Sequence, residues 1–224
     1  MILAIETATA TCSVALGVDG NVIDSDSSHI DKSHSKILTG QIQSLIARSE
    51  KQLDQLSVVA ISIGPGSYTG LRIGLSVAKG LCYALDIPLI GISTLASLAH
   101  HGIEKIQQSD CLYVPLIDAR RQGVYTAVYN NELSCLQDES ALELTSNSFA
   151  HLLEKKKIHF FGNATDKASK IIDHDNAMFH SELAITSESL IPLAYKRAKS
   201  NLFDSVAYLE PMYLKGLYTK TPQK

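Results

Sequence analysis

Residues 58–88, VVAISIGPGSYTGLRIGLSVAKGLCYALDIP, leave this chain few folds to choose from. Val58, Val59, Ala60, Ile61 and Ile63 form a short apolar run bounded by turn residues, the pattern of a strand buried on both faces. The run passes through Gly64-Pro65-Gly66-Ser67-Tyr68-Thr69-Gly70 straight into a helix. That helix is expected to begin near Thr69 and to stop before Pro88, because a proline pushes the residue ahead of it out of the α region. Gly70, Gly74, Ala78 and Cys82 recur every four residues, so one helix face is small enough for close backbone approach. Leu71, Ile73, Leu75, Val77, Leu81 and Leu85 make the adjoining faces apolar, and such a helix has to be covered on more than one side. A helical glycine costs about 1 kcal/mol relative to alanine, so close packing is the compensation expected.

Arg72 lies in the first turn of this helix, where the dipole disfavours a cation, so it is expected to answer a carboxylate or a bound anion. The loop ahead of it has two readings. Its backbone amides cradle a phosphate at a helix start, or it is a tight strand-to-helix turn. Without GK[ST] it is not a Walker A loop.

Before this unit, residues 1–5 and 13–18 read as paired strands, with a third at 21–25 after the turn Asp19-Gly20-Asn21. Residues 33–51 read as a helix capped by Ser33 or Asp31, with Ile37, Leu38, Ile42, Leu45 and Ile46 at helical spacing. A strand at 89–92 and a helix at 93–98 complete a β-β-β-α-β-α-β order, which makes a mixed sheet with helices packed on it. After a polar bridge at 100–110 the strand–turn–strand opening repeats at 111–117 and 124–130, around the turn 118–123. A helix over 146–156, a strand at 159–161 and a helix at 189–200 follow, with Pro192 tolerated in the first turn of the last.

The 20 basic and 23 acidic residues leave a net charge of −3, and the small runs at 155–157 and 196–199 read as solvated faces, so direct RNA gripping is disfavoured. Cys12, Cys82, Cys111 and Cys135 are far apart and three lie in apolar runs, which favours reduced core thiols and a reducing compartment. No run approaches 18 apolar residues, and MILAIETATA lacks the basic region of a secretory signal; a cytoplasmic location without membrane contact is expected. The eight histidines never fall as H-x-x-x-H, and G-x-S-x-G, CxxC and HExxH are all missing. Neither a metal site nor a catalytic residue is therefore expected.

GPGSYTGLRIGLSVAKGL resembles the hallmark segment of the TsaB (YeaZ) family, the partner subunit in bacterial tRNA threonylcarbamoyladenosine synthesis. IETATATCSVAL, HSKIL, IPLIGISTL, IDARRQGVYTAVY and EPMYLK agree in order from Ile5 to Lys215, with residues 130–209 matching loosely. In HSKIL, Lys36 stands where the family has Glu. The resemblance implies an α/β, actin-like ATPase fold, shared by acetate and sugar kinases, heat-shock ATPases and actin. Two subdomains, residues 1–99 and 100–224, would each hold a mixed sheet flanked by helices. The implied role is a non-catalytic scaffold required for N6-threonylcarbamoyl modification of the adenosine beside the anticodon. It would bind and support a TsaD-type catalytic subunit, with a TsaE-type ATPase in the larger complex, tRNA met indirectly, and a homodimer formed in isolation.

The resemblance also implies a vestigial nucleotide cleft at Glu6, Thr7, Gly64, Gly66, Ser67 and Asp118. The chain itself would require no cofactor, with ATP or ADP placed at the partner interface. Glu6 either faces phosphate and metal, although such ATPases carry Asp there, or caps its turn or pairs with a cation. Asp118 is either a second phosphate-facing acid or the anchor of a turn ion-paired with Arg120 or Arg121. The implied partner surface is Ile37, Leu38, Gln41, Leu45, Gly70, Gly74, Val77, Ala78 and Leu81, so Gly74→Leu is expected to break assembly and spare the monomer. The alternative is an actin-like ATPase or small-molecule kinase acting alone through Glu6, Thr7, the 64–70 loop and Asp118.

Overall fold

The computed structural model describes residues 1–29 and 34–215. β1 (Ile2–Glu6) pairs antiparallel with β2 (Thr11–Val18), which pairs antiparallel with β3 (Asn21–His29). On its other side β1 runs parallel to β4 (Val58–Gly64), and β4 runs parallel to β5 (Leu89–Ser93). Parallel neighbours require crossovers, and α1 (His34–Arg48) and α2 (Tyr68–Leu85) supply them. The second half repeats the plan with β6 (Cys111–Asp118), β7 (Gly123–Tyr129), β8 (Cys135–Glu143), β9 (Lys157–Phe161) and β10 (Ala177–His180). Its order β8-β7-β6-β9-β10 matches β3-β2-β1-β4-β5 strand for strand, which is the duplicated actin-like layout.

One face of the first sheet is covered by α1 and α2, whose Leu38, Ile42, Leu45, Leu75 and Ala78 pack on Leu3, Ile5, Val14 and Ile61. The other face, with Ile2, Ala4, Ala15, Val58 and Ala60, is closed by Leu190, Ile191 and Ala194 of α6 (Leu190–Lys199). The approach is close: a Cβ on Gly17 would overlap the Ile191 side chain. In the reverse direction α3 (Thr94–Ile106) sends Leu95, Leu98 and Ala99 onto Tyr113, Ile117 and Phe161 of the second sheet. Each half is therefore sealed by a helix from the other. At about 25 cal/mol per Å² of apolar area removed from water, a buried leucine or isoleucine in these seams contributes on the order of 2 kcal/mol.

Several elements differ from the sequence expectation. α3 continues through the expected polar bridge to Ile106, because Ile103 and Ile106 extend its apolar spacing and Gly102 lets the Phe161 ring pack against the backbone. The helix expected over 146–156 shrinks to α4 (Ala150–Leu153): Ser148 Oγ accepts from Thr145 N at 2.9 Å, and Phe149 sits at φ 62°. β8 is a polar edge strand without alternation, and its order comes from pairing with β7. β10 and the short α5 (Thr165–Ser169) are likewise unmarked in the sequence. The expected start and caps of α1 at Asp31 and Ser33 lie outside the described residues.

β9 and β10 are joined by His159, buried, with Nδ1 2.8 Å from His180 Nε2 and Nε2 3.1 Å from Gln108 Oε1. Burial, then the neighbouring His180, lowers its pKa from 6.5 to about 4. The folded state thus takes up its proton later than the unfolded state, so this contribution to stability is lost as pH falls from 6.5 toward 4. His159→Asn should gain on the wild type by about 1–2 kcal/mol between pH 7 and pH 5. Urea titrations at both pH values, with an unchanged difference between the two proteins, would remove His159 from this role.

Candidate functional site

The turn after β1 and the loop before α2 lie against one another. Glu6 is fully buried; its Oε1 accepts from Ala8 N at 2.6 Å, while Oε2 has no partner. The parallel pairing of Ile5 with Ile61 brings Glu6 beside Ser62. Burial raises the Glu6 pKa from 4.5 to about 7, opposed chiefly by the hydrogen bond from the Ala8 amide and less by the nearby Ser62 hydroxyl and Thr7 amide. Thr7 is also buried, and its Oγ1 is unpartnered. Cβ atoms on Gly70 and Gly74 would overlap the Thr7 carbonyl oxygen and Oγ1, and one on Gly66 would overlap the Ala8 carbonyl oxygen. Ser67 N donates to Ala8 O at 2.7 Å, and Ser67 Oγ caps α2 by accepting from Gly70 N at 3.2 Å. Gly64, at φ 116°, lies under the Met212 carbonyl oxygen, which a Cβ would meet at 2.6 Å.

Glu6, Thr7, Gly64, Gly66 and Ser67 therefore converge, but by packing onto their own chain. Asp118 belongs to the second half, at the end of β6. Its carboxylate pairs with Lys167, and its backbone N donates to Asn163 Oδ1 at 2.8 Å. Lys167, from α5, thus pairs with this turn, a partner that the sequence reading did not name. A magnesium nucleotide does not fit the junction as built, because the amides of Ser67 and Gly70 are bonded internally and the carboxyl of Glu6 faces inward. Among the described residues no group of three His, Cys, Asp or Glu is placed to hold a metal ion, and no helix is long and apolar enough to cross a membrane.

The two long helices lie side by side, and their faces divide differently from the sequence expectation. Leu38, Leu45, Gly70, Gly74 and Ala78 are buried against the chain's own sheet, and Gln41 is buried with Nε2 3.4 Å from the Cys12 carbonyl oxygen. The small-residue stripe thus serves the turn of Thr7 and Ala8. Ile37, Val77 and Leu81 are half-buried at the margin. Outward, the face presents Thr39, Gly40, Ser44 and Ala47 of α1 with Thr69, Ser76, Gly80 and Ala84 of α2. Nothing lies within 4 Å of a Cβ built on Gly40 or Gly80. Beside the first turn of α2 lies a groove of about 450 Å³, lined by Ser35, Tyr68, Thr69, Arg72, Ile73, Ser76 and Val77.

Arg72 is answered by aromatic rings, where a carboxylate or an anion was expected. Its Cζ lies 4.2 Å from the centre of the Tyr68 ring, and Nε donates to Tyr213 Oη at 3.0 Å. Tyr213 comes from a strap after α6. In it Asp204 N donates to Leu89 O at 2.9 Å, Lys79 Nζ reaches Ala207 O at 3.0 Å, and Met212 N donates to Ile63 O at 2.7 Å. Lys215 then reaches Ala119 O at 3.4 Å in the second half. Gly80 and Tyr213 lie within the matched motifs and Gly40 within none, but neither motif nor periodicity assigns any of the three to a face or a partner.

A family model described as TsaD, tRNA N6-adenosine threonylcarbamoyltransferase, matches residues 21–207. The tRNA threonylcarbamoyladenosine biosynthesis protein TsaB of Bacillus subtilis (strain 168) is 38% identical over 136 residues, which cover 61% of this chain and 58% of that protein. TsaB of Escherichia coli (strain K12) is 29% identical over 238 residues, covering 100% and 99% of the two chains. YeaZ from Pseudomonas aeruginosa superposes with a TM-score of 0.81 at 26% identity over 95% of this chain and 99% of that one. In fold alone, the ADPNP-bound activator of 2-hydroxyisocaproyl-CoA dehydratase from Clostridium difficile is similar at a TM-score of 0.54 and 8% identity, over 89% and 96% of the two chains. With the duplicated sheet, the packed turn-and-loop junction and these relatives together, the chain belongs to the TsaD family as that model defines it, and within it to the TsaB (YeaZ) proteins.

Proposed function

We propose that this chain is a non-catalytic scaffold subunit in tRNA N6-threonylcarbamoyladenosine modification, which binds and supports a TsaD-type catalytic subunit through the outward face of α1 and α2. The observation that carries the reading is the pair of solvent-facing glycines. Gly40 and Gly80 each sit three positions after a half-buried β-branched residue, Ile37 and Val77, and so share a helix face with it. Neither glycine makes room for anything inside the chain. Each costs its helix about 1 kcal/mol, and a helix pair from a partner, packed at close distance on this face, uses the room they leave. A TsaD-type partner is favoured because the named relatives belong to this modification pathway and the chain shares a family model with the transferase. A TsaE-type ATPase joins the larger complex, tRNA is met through the partner, and the chain pairs with itself through the same face when alone.

Gly80→Leu tests the reading. The variant should keep the wild-type melting curve, since its side chain enters open space, and should weaken the one-to-one complex with the TsaD-type protein at least about tenfold. Light scattering on a sizing column reads both species. An undiminished complex formed by Gly80→Leu would remove this face from the assembly.

A further inference from the structure

The charges on α1 and α2 are all of one sign. The two helices carry Lys36, Arg48, Arg72 and Lys79 and no Asp or Glu, in a chain whose net charge is −3. Three of the four have partners within the chain: Arg48 pairs with Asp24 at 2.9 Å, Lys79 donates to the Ala207 carbonyl, and Arg72 donates through Nε to Tyr213 Oη. Lys36 and Arg72 are exposed, and Arg72 lines the groove together with Ser35, Ile73 and Val77. Arg72 is the more constrained of the two. Its guanidinium lies over the Tyr68 ring, its Nε edge is bonded to Tyr213 Oη, and the two tyrosine rings stand 5.1 Å apart. Glu210 adds a weaker electrostatic attraction, and among the described residues no ion pair involves the Arg72 Nη atoms. The side chain is thus held in place with its fork unused, the state in which arginine binds a carboxylate with least loss of freedom.

We propose that Arg72 is the carboxylate-binding anchor of the α1–α2 face, and that this face accepts an acidic helix surface of a heterologous protein in preference to a second copy of itself. The proposal rests on the scaffold reading above for the identity of that protein. Two copies placed face to face set Lys36 and Arg72 against like charges, with no acid on either helix to answer them, whereas an acidic partner answers both. The rest of the face is built of small residues, with Gly40, Gly80, Ser44 and Ser76 exposed and Ile73 and Val77 half-buried. A nucleic-acid backbone calls for a track of cations, so these groups fit a protein helix better.

Calorimetric titration of the TsaD-type protein into the full chain tests this at low and high salt. Arg72→Ala should weaken binding about tenfold to a hundredfold and flatten its salt dependence, while the melting temperature falls by no more than a few degrees, since only the Tyr68 stack and the Tyr213 hydrogen bond are given up inside the chain. Arg72→Lys should recover little of the affinity, since an ammonium offers neither the stack nor the fork. Wild-type affinity retained by Arg72→Ala overturns the proposal. So does weakened binding of a short RNA stem-loop with partner affinity intact, which would assign the residue to nucleic acid. Absence of heat with wild-type protein sinks the scaffold reading alone, and self-association then judges the anchor. Arg72→Glu, which places an acid opposite the second copy's cations, should tighten self-pairing by about fivefold; unchanged or weaker self-pairing overturns it.

Discussion

Glu6→Gln should stabilise this protein, and by more as the pH rises. The carboxyl is fully buried, one oxygen holds the Ala8 amide and the other has no partner, so burial raises its pKa from 4.5 to about 7. A raised carboxyl pKa means that the folded state holds a proton the unfolded state has already released. The contribution to stability is intact below pH 4.5 and is lost as pH rises through 7. The full shift amounts to about 3 kcal/mol above pH 8, and the advantage of the Gln variant should grow by about 2–3 kcal/mol between pH 5 and pH 8. Glutamine keeps the oxygen that accepts from Ala8 and offers an amide hydrogen toward Ser62 in place of the acid proton. Paired urea titrations at the two pH values measure the effect. A difference between variant and wild type that does not change with pH would show that Glu6 is ionised when folded, and would reopen the junction to a cation.

Gly74→Leu should unfold the protein rather than merely separate it from a partner, and Gly70→Ala should destabilise it in the same direction. At Gly70 a single methyl meets the backbone carbonyl of Thr7, which moves only if the end of β1 moves. The gain of about 1 kcal/mol in helix propensity is outweighed by overpacking, which typically costs about 1–3 kcal/mol and more where backbone must shift. At Gly74 a leucine collides with the Thr7 hydroxyl and Ile61, and the loss should reach about 4 kcal/mol or more, roughly 10 °C in melting temperature. A Gly74→Leu protein that melts with the wild type would show that this face is open after all. The contrast with Gly80, six residues on and in open space, separates the inward glycines from the outward one.

The elements most legible in the sequence were those whose pattern is local. The buried run of β4, the stop before Pro88 and the Asp-Gly-Asn hairpin follow from nearby residues alone. The repeat of strand–turn–strand at β6 and β7 was legible for the same reason. What was not legible depended on distant partners. The period of four at Gly70, Gly74, Ala78 and Cys82 announces a close approach but not to what, and only the tertiary structure turns it onto Thr7. Arg72 was marked as needing an answer, yet Tyr213, 141 positions away, is too distant to be read as that answer. β8 lacks alternation because it is an exposed edge, so its signal lies in β7.

The exchange of helices between the halves has a consequence for synthesis. The inner face of the first sheet is covered by Leu190, Ile191 and Ala194, which leave the ribosome only when most of the chain has been made. At about 5–20 residues per second, the strands of the first half emerge several seconds before the helix that seals them. Through that interval Ile2, Ala4, Ala15, Val58 and Ala60 form an apolar surface with nothing of their own chain to cover it. The nascent chain is thus a client for chaperones until α6 arrives, and a truncation before α6 releases an aggregating product rather than a half-sized domain.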